Sequence, residues 1–454
     1  MLAFGMKSAA DKLPLVKPLK KVEEGRSAFI EDLDAWRERM RTCNFQDKAG
    51  IECRDDMLQY YKKAMQAHEI FEGTGLNISF RWRDSFDRDQ VAAGVDFSFE
   101  AVCALYNVAA ATSFMATSED RSTDEGIKKA CATFQEAAGI LDKVKELVKA
   151  GAFPENTPDL SVTCLDALHF LLLAQAQKCF YEKAMRGGMK DAIVAKIAAE
   201  CAGLYADAST KLTSAKLSGP QSQSWLDVVE WNKKLFDGMQ NYYAASIHHD
   251  ANEYGKELSR LTYACNRVGE AVLMCKKAPR DLQQQFVDAH ASCMAKQAAA
   301  KKDNDLVYNE KVPPTETLPA LERKAMVRPT VSSGIDLEVP PLPAAVSRQP
   351  TPAAEASAVA EVMQHLAMSE SAPPSRQPSG AAAAPPPAPP AAAAAAAEPP
   401  PPPPPPSFDA AVGDSVQQLM AMGFPRDAAT AALQQAQGNV EAATDILLSG
   451  TTMH

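Results

Sequence analysis

Leu173-Ala174-Gln175-Ala176-Gln177-Lys178-Cys179-Phe180 lies inside a long helical run that Asp159 and Ser161 are placed to open and Gly187-Gly188 to break. Outward from this stretch, the pattern is almost wholly helical from Phe99 to Leu306. On the N-terminal side, 100–115 is rich in alanine and sets Val102, Leu105, Tyr106 and Ala109 on one face. Phe134, Ala137, Ala138, Leu141, Val144 and Val148 form the next apolar stripe, ended by Gly151 and Pro154. On the C-terminal side a helix resumes over 189–216, and two more long helices are expected over 224–276 and 280–302. Small side chains let consecutive helices approach closely, as in helical-repeat solenoids. The strand-like piece is Ile78-Ser79-Phe80-Arg81-Trp82, which alternates strictly.

The chain has 454 residues, room for two to four domains, and 46% of them are hydrophobic, enough for a large core. Its 32 prolines are concentrated late. Residues 331–408 hold Pro340-Pro341, an alanine run and an unbroken Pro399–Pro406, a composition that favours polyproline II over a packed core. Within it, Val359, Val362, Met363 and Leu366 fall at helical spacing and read as a transient helix, the alternative being a docking motif. Of the formal net charge of −10, −4 falls on 331–408 and −4 on 409–454, which leaves −2 on the first 330 residues. A near-neutral body without a dense basic cluster argues against nucleic acid as a partner. Lys12, Lys17, Lys20 and Lys21 offer a peripheral contact with an anionic membrane, although scattered lysines are usually a solvated face. The ten cysteines all lie in the body without a C-x-x-C pair, which fits neither a zinc site nor a disulfide framework. The first residues, Met1-Leu2-Ala3-Phe4-Gly5-Met6-Lys7, fit neither a signal peptide nor a myristoylation motif, so a reduced cytoplasmic protein is expected.

The tail has its own pattern. Asp414 or Ser415 can cap a helix carrying Val416, Leu419 and Met420; Gly423 breaks it, and Pro425 suits the start of a second with Ala428, Ala432 and Leu433. Gly438-Asn439 separates a third, with Val440, Ala443, Ile446 and Leu447 at helical spacing. The order Met422-Gly423-Phe424, Gly438-Asn439, Asp445-Ile446-Leu447-Leu448 resembles a ubiquitin-associated (UBA) domain. The resemblance implies a ubiquitin-binding surface of Met422, Gly423, Phe424, Asp445, Leu447 and Leu448. The tail's negative charge complements the basic groups that edge ubiquitin's apolar patch.

Three stretches of the body carry a second resemblance: Phe99-Glu100-x5-Tyr106-Asn107-x-Ala109-Ala110; Leu173-Ala174-Gln175-Ala176-Gln177-x2-Phe180; and Lys301-Lys302-Asp303-Asn304-Asp305-x2-Tyr308-x3-Val312-Pro313. With Ile78–Trp82 and the following Arg83-Asp84-Ser85-Phe86, they resemble the BRO domain of the ALIX-like endosomal-sorting adaptors. The implied fold is mainly α: a curved solenoid with a TPR-like core and a small N-terminal β-sheet over 1–335. A disordered Pro/Ala-rich linker over 336–408 and a three-helix UBA bundle over 409–454 follow. The resemblance also implies that the body receives the C-terminal amphipathic helix of an ESCRT-III filament subunit. Phe180, Ile193 and Ile197 would form the apolar floor, with Asp124 and Lys128 beside it; both Ile193/Ile197 and Asp124/Lys128 are i, i+4 pairs. The family's last floor residue is Leu where this chain has Ile197. The long helical domain that follows in ALIX proteins has no room here, because the linker arrives directly. Tyr308 reads as a buried structural tyrosine more readily than as a phosphorylation site.

No phosphate loop, nucleophile elbow or Cys–His constellation appears, so neither catalysis nor a cofactor is expected. His248-His249-Asp250 with Glu253 is the one cluster that resembles a metal site, and adjacent helical residues diverge too far to share an ion. The reading is a cytoplasmic adaptor, recruited to endosomes, that joins an ESCRT-III subunit to ubiquitin or ubiquitinated cargo. The alternative is a signalling scaffold that brings a cysteine protease or deubiquitinase to ESCRT sites.

Overall fold

The structure, a computed structural model, describes residues 1–43, 50–151, 157–219, 222–331 and 336–340, and in the tail 416, 419, 426–436, 443 and 447. The body opens with β1 (Ser8–Ala9), α1 (Val16–Val22), α2 (Ser27–Thr42) and α3 (Gly50–Phe71). The hairpin strands β2 (Phe80–Arg83) and β3 (Val91–Gly94) follow. The long helices are α4 (Phe97–Ser118), α5 (Asp124–Ala150), α6 (Val162–Arg186), α7 (Asp191–Ala215), α8 (Ser222–Asp250), α9 (Tyr254–Met274) and α10 (Arg280–Asp303). From α3 to α10 each helix packs chiefly on its neighbours in the chain, which makes the body an α-solenoid.

The strand reading needs two corrections. Phe80 and Trp82 do point inward with Arg81 outward, but Ile78 is buried ahead of the strand, which ends at Arg83. The sheet also has three antiparallel strands in the order β1-β2-β3. The flanking strands are short or lack bulky alternating side chains, as in Val91-Ala92-Ala93-Gly94, so their sequence carries little strand signal.

A single apolar face was expected on α4, and the helix is instead buried on every side. It is apolar and long enough to cross a membrane, yet it lies inside the body between α3 and α5. Its one carboxylate, Glu100, accepts from Arg37 Nε at 2.7 Å, from the Tyr60 hydroxyl at 2.7 Å and from Trp82 Nε1. That buried group therefore ties α2, α3, β2 and α4 together. Asp159 does not open α6; Ser161 caps it by accepting from the Cys164 amide at 3.2 Å. Asp159 is the buried partner of Lys7, with both carboxylate oxygens 2.8 Å from the ammonium. The single helix expected over 224–276 is two, α8 and α9, because the chain turns at Asn252 with φ 56°, a conformation that asparagine tolerates.

After α10 the chain runs back across the solenoid in extended form. Glu310 accepts from the Gly255 amide, and Thr315 meets Ser259, both on α9. Glu322 pairs with Lys196 and Arg323 with Glu200 on α7. Gln177 of α6 takes the Met326 amide at 3.0 Å and donates to the Lys324 carbonyl at 2.9 Å. Gln135 of α5 accepts from the Arg328 amide at 3.0 Å, and its carbonyl accepts from the Thr330 amide at 3.1 Å. Two glycines make the fit possible: a Cβ at Gly139 would lie 2.4 Å from the Thr330 carbonyl oxygen, and one at Gly203 2.1 Å from the Arg323 guanidinium carbon. Lys62 and Gln66 of α3 hold Asp336 and the Pro340 carbonyl, so 336–340, assigned to the linker from sequence, pack on the body.

In the tail, α11 (Arg426–Gln435) buries Ala429, Ala432 and Leu433 against Val416, Leu419 and Ala443. Ala429 is buried where Ala428 was expected. The amphipathic stretch Val359–Leu366 lies outside the described residues.

Two changes test this account. Glu100→Ala leaves Arg37 buried without its counter-ion and is expected to cost about 3 kcal/mol or more in urea unfolding. Gly139→Val meets backbone that cannot yield, whereas Gly203→Val meets a half-exposed arginine that can swing out. The first is expected to speed amide exchange over 326–331 far more than the second.

Candidate functional site

Three pieces of chain build an apolar cluster on the body. Phe180 and Ala184 stand one turn apart near the end of α6, and Ile193 and Ile197 one turn apart at the start of α7. The short connection through Gly187-Gly188 makes these segments neighbours and presents Met189 beside them. Met326, from the returning segment, packs on the same cluster.

The expected residues are brought together, but not as a flat floor. Ile193, Met189 and Met326 are half-buried, Phe180 is 8% exposed, and Ile197 is 0% exposed. Ile197 cannot touch a ligand in this arrangement; it supports the others from beneath. Its β-branched side chain suits that position, packed against the α6 helix and locked by few rotamers.

The expected charged residues lie on the neighbouring α5. Asp124, at the exposed start of α5, lies 3.9 Å from the Arg186 guanidinium at the end of α6. Lys183, one turn beyond Phe180, is pushed below the ordinary lysine value by burial and then by the nearby Lys128, with Asp124 opposing. Charges of both signs thus border this edge of the cluster, Lys183 lying among Asp124, Lys128 and Arg186. Arg121 and Glu182 pair at 2.7 Å alongside. An apolar surface with a charged border has the chemistry to accept one face of an amphipathic helix.

Over residues 1–351 the sequence matches the family described as BRO1-like domain, and over 414–447 it matches the UBA/TS-N domain. This chain belongs to the BRO1-like family. It is 29% identical over 332 residues to the ALG-2 interacting protein X of Dictyostelium discoideum, covering 70% of this chain and 41% of that protein. It is also 29% identical over 283 residues to the vacuolar-sorting protein BRO1 of Arabidopsis thaliana, covering 61% and 34%. The chain thus spans less than half the length of these relatives. Among solved structures it resembles the ALIX BRO1 domain in its complex with CHMP4C, with a TM-score of 0.64 and 25% identity over 73% of this chain and 96% of that one. A Bro1 domain described as a basis for endosomal targeting shares the fold at a TM-score of 0.58 and 18% identity, over 73% and 92%.

In this BRO1-like body, sequence reasoning missed Met189 and Met326. Met189 follows a Gly-Gly break, where a long apolar side chain is out of place in a solvated turn and signals a packing contact. Met326 sits in Arg323-Lys324-Ala325-Met326-Val327-Arg328, an apolar pair inside a basic run that declares its role only once the chain is folded back. Tyr308, expected to be buried, is 42% exposed. His248 and His249 contact different carboxylates, Glu253 at 2.7 Å and Glu257 at 3.0 Å, so the rings do not converge. Lys20 is engaged by Glu31 at 2.5 Å, while Lys12, Lys17 and Lys21 are exposed. In the UBA domain Leu447 lies against the small core, and Met422, Gly423, Phe424, Asp445 and Leu448 lie outside the described residues.

The depth difference between the two isoleucines is testable. Ile197→Asp buries an unpaired carboxylate and is expected to lower stability by several kcal/mol, roughly. Ile193→Asp can turn its charge to water, so its thermal midpoint should stay within a few degrees of the parent.

Proposed function

We propose that this chain is a non-enzymatic adaptor of ESCRT-dependent endosomal sorting. Its BRO1-like body takes the C-terminal helix of an ESCRT-III filament subunit, and its UBA domain takes ubiquitin on cargo. The observation that carries the first half is the apolar cluster of Phe180, Met189, Ile193 and Met326, bordered by charged side chains of both signs. A helix laid there buries its apolar stripe on the cluster and sets its polar residues toward the charged border. The similarity to a BRO1 domain solved with CHMP4C supports a ligand of that class. Membership of 414–447 in the UBA/TS-N family and the Met422-Gly423-Phe424 loop support ubiquitin as the second ligand.

The proline- and alanine-rich segment between the two domains links their ligands through effective concentration. A surface that displays both is held more tightly than either alone. The protein works by binding, and no bond is made or broken. Recruitment from cytoplasm to endosomes follows from the filament subunit's location.

For the body, Ile193→Asp is expected to weaken binding of a CHMP4C C-terminal helix peptide at least about tenfold by calorimetry. An unchanged affinity in a folded variant contradicts the site. For the tail, Met422→Ala with Phe424→Ala is expected to abolish ubiquitin pull-down and leave peptide binding by the body intact. Ubiquitin retention at the parental level removes the tail from the account.

A further inference from the structure

α10 is the last long helix of the solenoid, and it packs chiefly on α9. Its inner face buries Phe286 and Cys293, two turns apart. The opposite face carries Val287, Ala291, Met294, Ala295 and Ala298 at helical spacing. All five are exposed, Val287 at 44% and Met294 at 52%. The segment that leaves α10 turns back over α9 and α7 and leaves this face open. A solenoid ordinarily ends on a polar outer surface, because an apolar one invites association. Here the last helix presents an apolar stripe instead.

Two charges frame the stripe. Asp288 stands beside Val287 toward one end, and Lys302 lies one turn beyond Ala298 at the other. Both are exposed, and neither makes an ion pair among the described residues; Asp288 accepts from Gln284 at 2.8 Å, and it is Lys301 that pairs with Asp305.

This pattern is complementary to itself. When a second α10 is laid antiparallel on the first, about a two-fold axis beside residues 292–295, each large side chain meets a small one. Val287 then lies over the second copy's Ala298, and Met294 over the second copy's Ala291 and Ala295. Alanine at those positions lets two helices approach closely. Helical side chains lean toward the N-terminus of their own helix, so Lys302 of one copy and Asp288 of the other lean toward each other. The two-fold axis forms that pair twice.

We propose that the outer face of α10 is a homodimer interface, in which two copies of this chain pack antiparallel and are framed at both ends by Asp288 and Lys302 of opposite copies. Such a contact uses the same patch on both copies and closes at two. One helix from each copy buries a small area, so the association is weak and reversible. On the function proposed above, each dimer presents two Phe180 clusters and two UBA domains, which strengthens its hold on a surface that displays their ligands.

Sedimentation equilibrium of the full chain is expected to show a monomer–dimer equilibrium at concentrations below about 1 mM. Met294→Lys, an exposed change in the middle of the face, is expected to leave a monomer with an unchanged thermal midpoint. Asp288→Lys and Lys302→Asp each turn both charge pairs into like-charged ones and are each expected to weaken self-association at least about tenfold. Mixed in equal amounts, these two variants recover both opposite-charge pairs. They are expected to form a heterodimer within about threefold of the parental affinity. A chain that stays monomeric throughout, which leaves the face to a partner of another kind, overturns the proposal. So does a dimer indifferent to Met294→Lys, or a pair of charge variants that fail to associate with each other.

Discussion

An extended chain laid across helices must find partners for its own backbone. Lys196 and Gln135 lend main-chain carbonyls to the Lys324 and Thr330 amides. Most backbone groups of the helices beneath are already paired with one another, so the other partners must be side chains. Gln135 and Gln177 supply them: their side-chain amides reach out of α5 and α6 to the backbone of 324–328. Gly139 and Gly203 remove the side chains that would hold the segment off. From this fastening the rest follows. It stitches α9, α7, α6, α5 and α3 along one line, so a solenoid whose helices otherwise know only their neighbours gains a long-range tie. It also carries Met326 onto the Phe180 cluster, completing the apolar surface that the functional reading requires.

The buried charges do comparable work at the N-terminal end. Lys7 with Asp159, and Arg37 with Glu100, join the small sheet to α2, α4 and the approach to α6. Pairs of this kind contribute little net stability, yet each becomes costly when one partner is lost. They are therefore better understood as fixing which elements meet than as holding them together.

The helices were legible because periodicity and alanine content survive in the sequence without any long-range information, as in 134–148 and 162–186. The full burial of α4 was not, since a helix packed on all sides loses the one-sided stripe that periodicity detects. The split at Asn252 was hidden because the break rests on one asparagine in the left-handed region, with no proline beside it to mark the turn. In the candidate site, the family resemblance grouped Phe180, Ile193 and Ile197, and helical spacing put the two isoleucines on one face, yet spacing says nothing of their depth. Depth depends on the returning segment, whose position is set by glutamines and glycines more than 100 residues away. For the same reason the exposed setting of Tyr308, fixed by Asn304, Glu310 and Gly255, could not be read from its motif.

The proposed ligand surface is assembled from α6, α7 and the returning segment, and methionine methyl NMR reports on it directly. On addition of the CHMP4C C-terminal helix to the full chain, the Met189 and Met326 signals are predicted to shift together while those of Met57 and Met294 hold. Shifts confined to Met294, or none at Met189 and Met326 in the presence of bound helix, would contradict it.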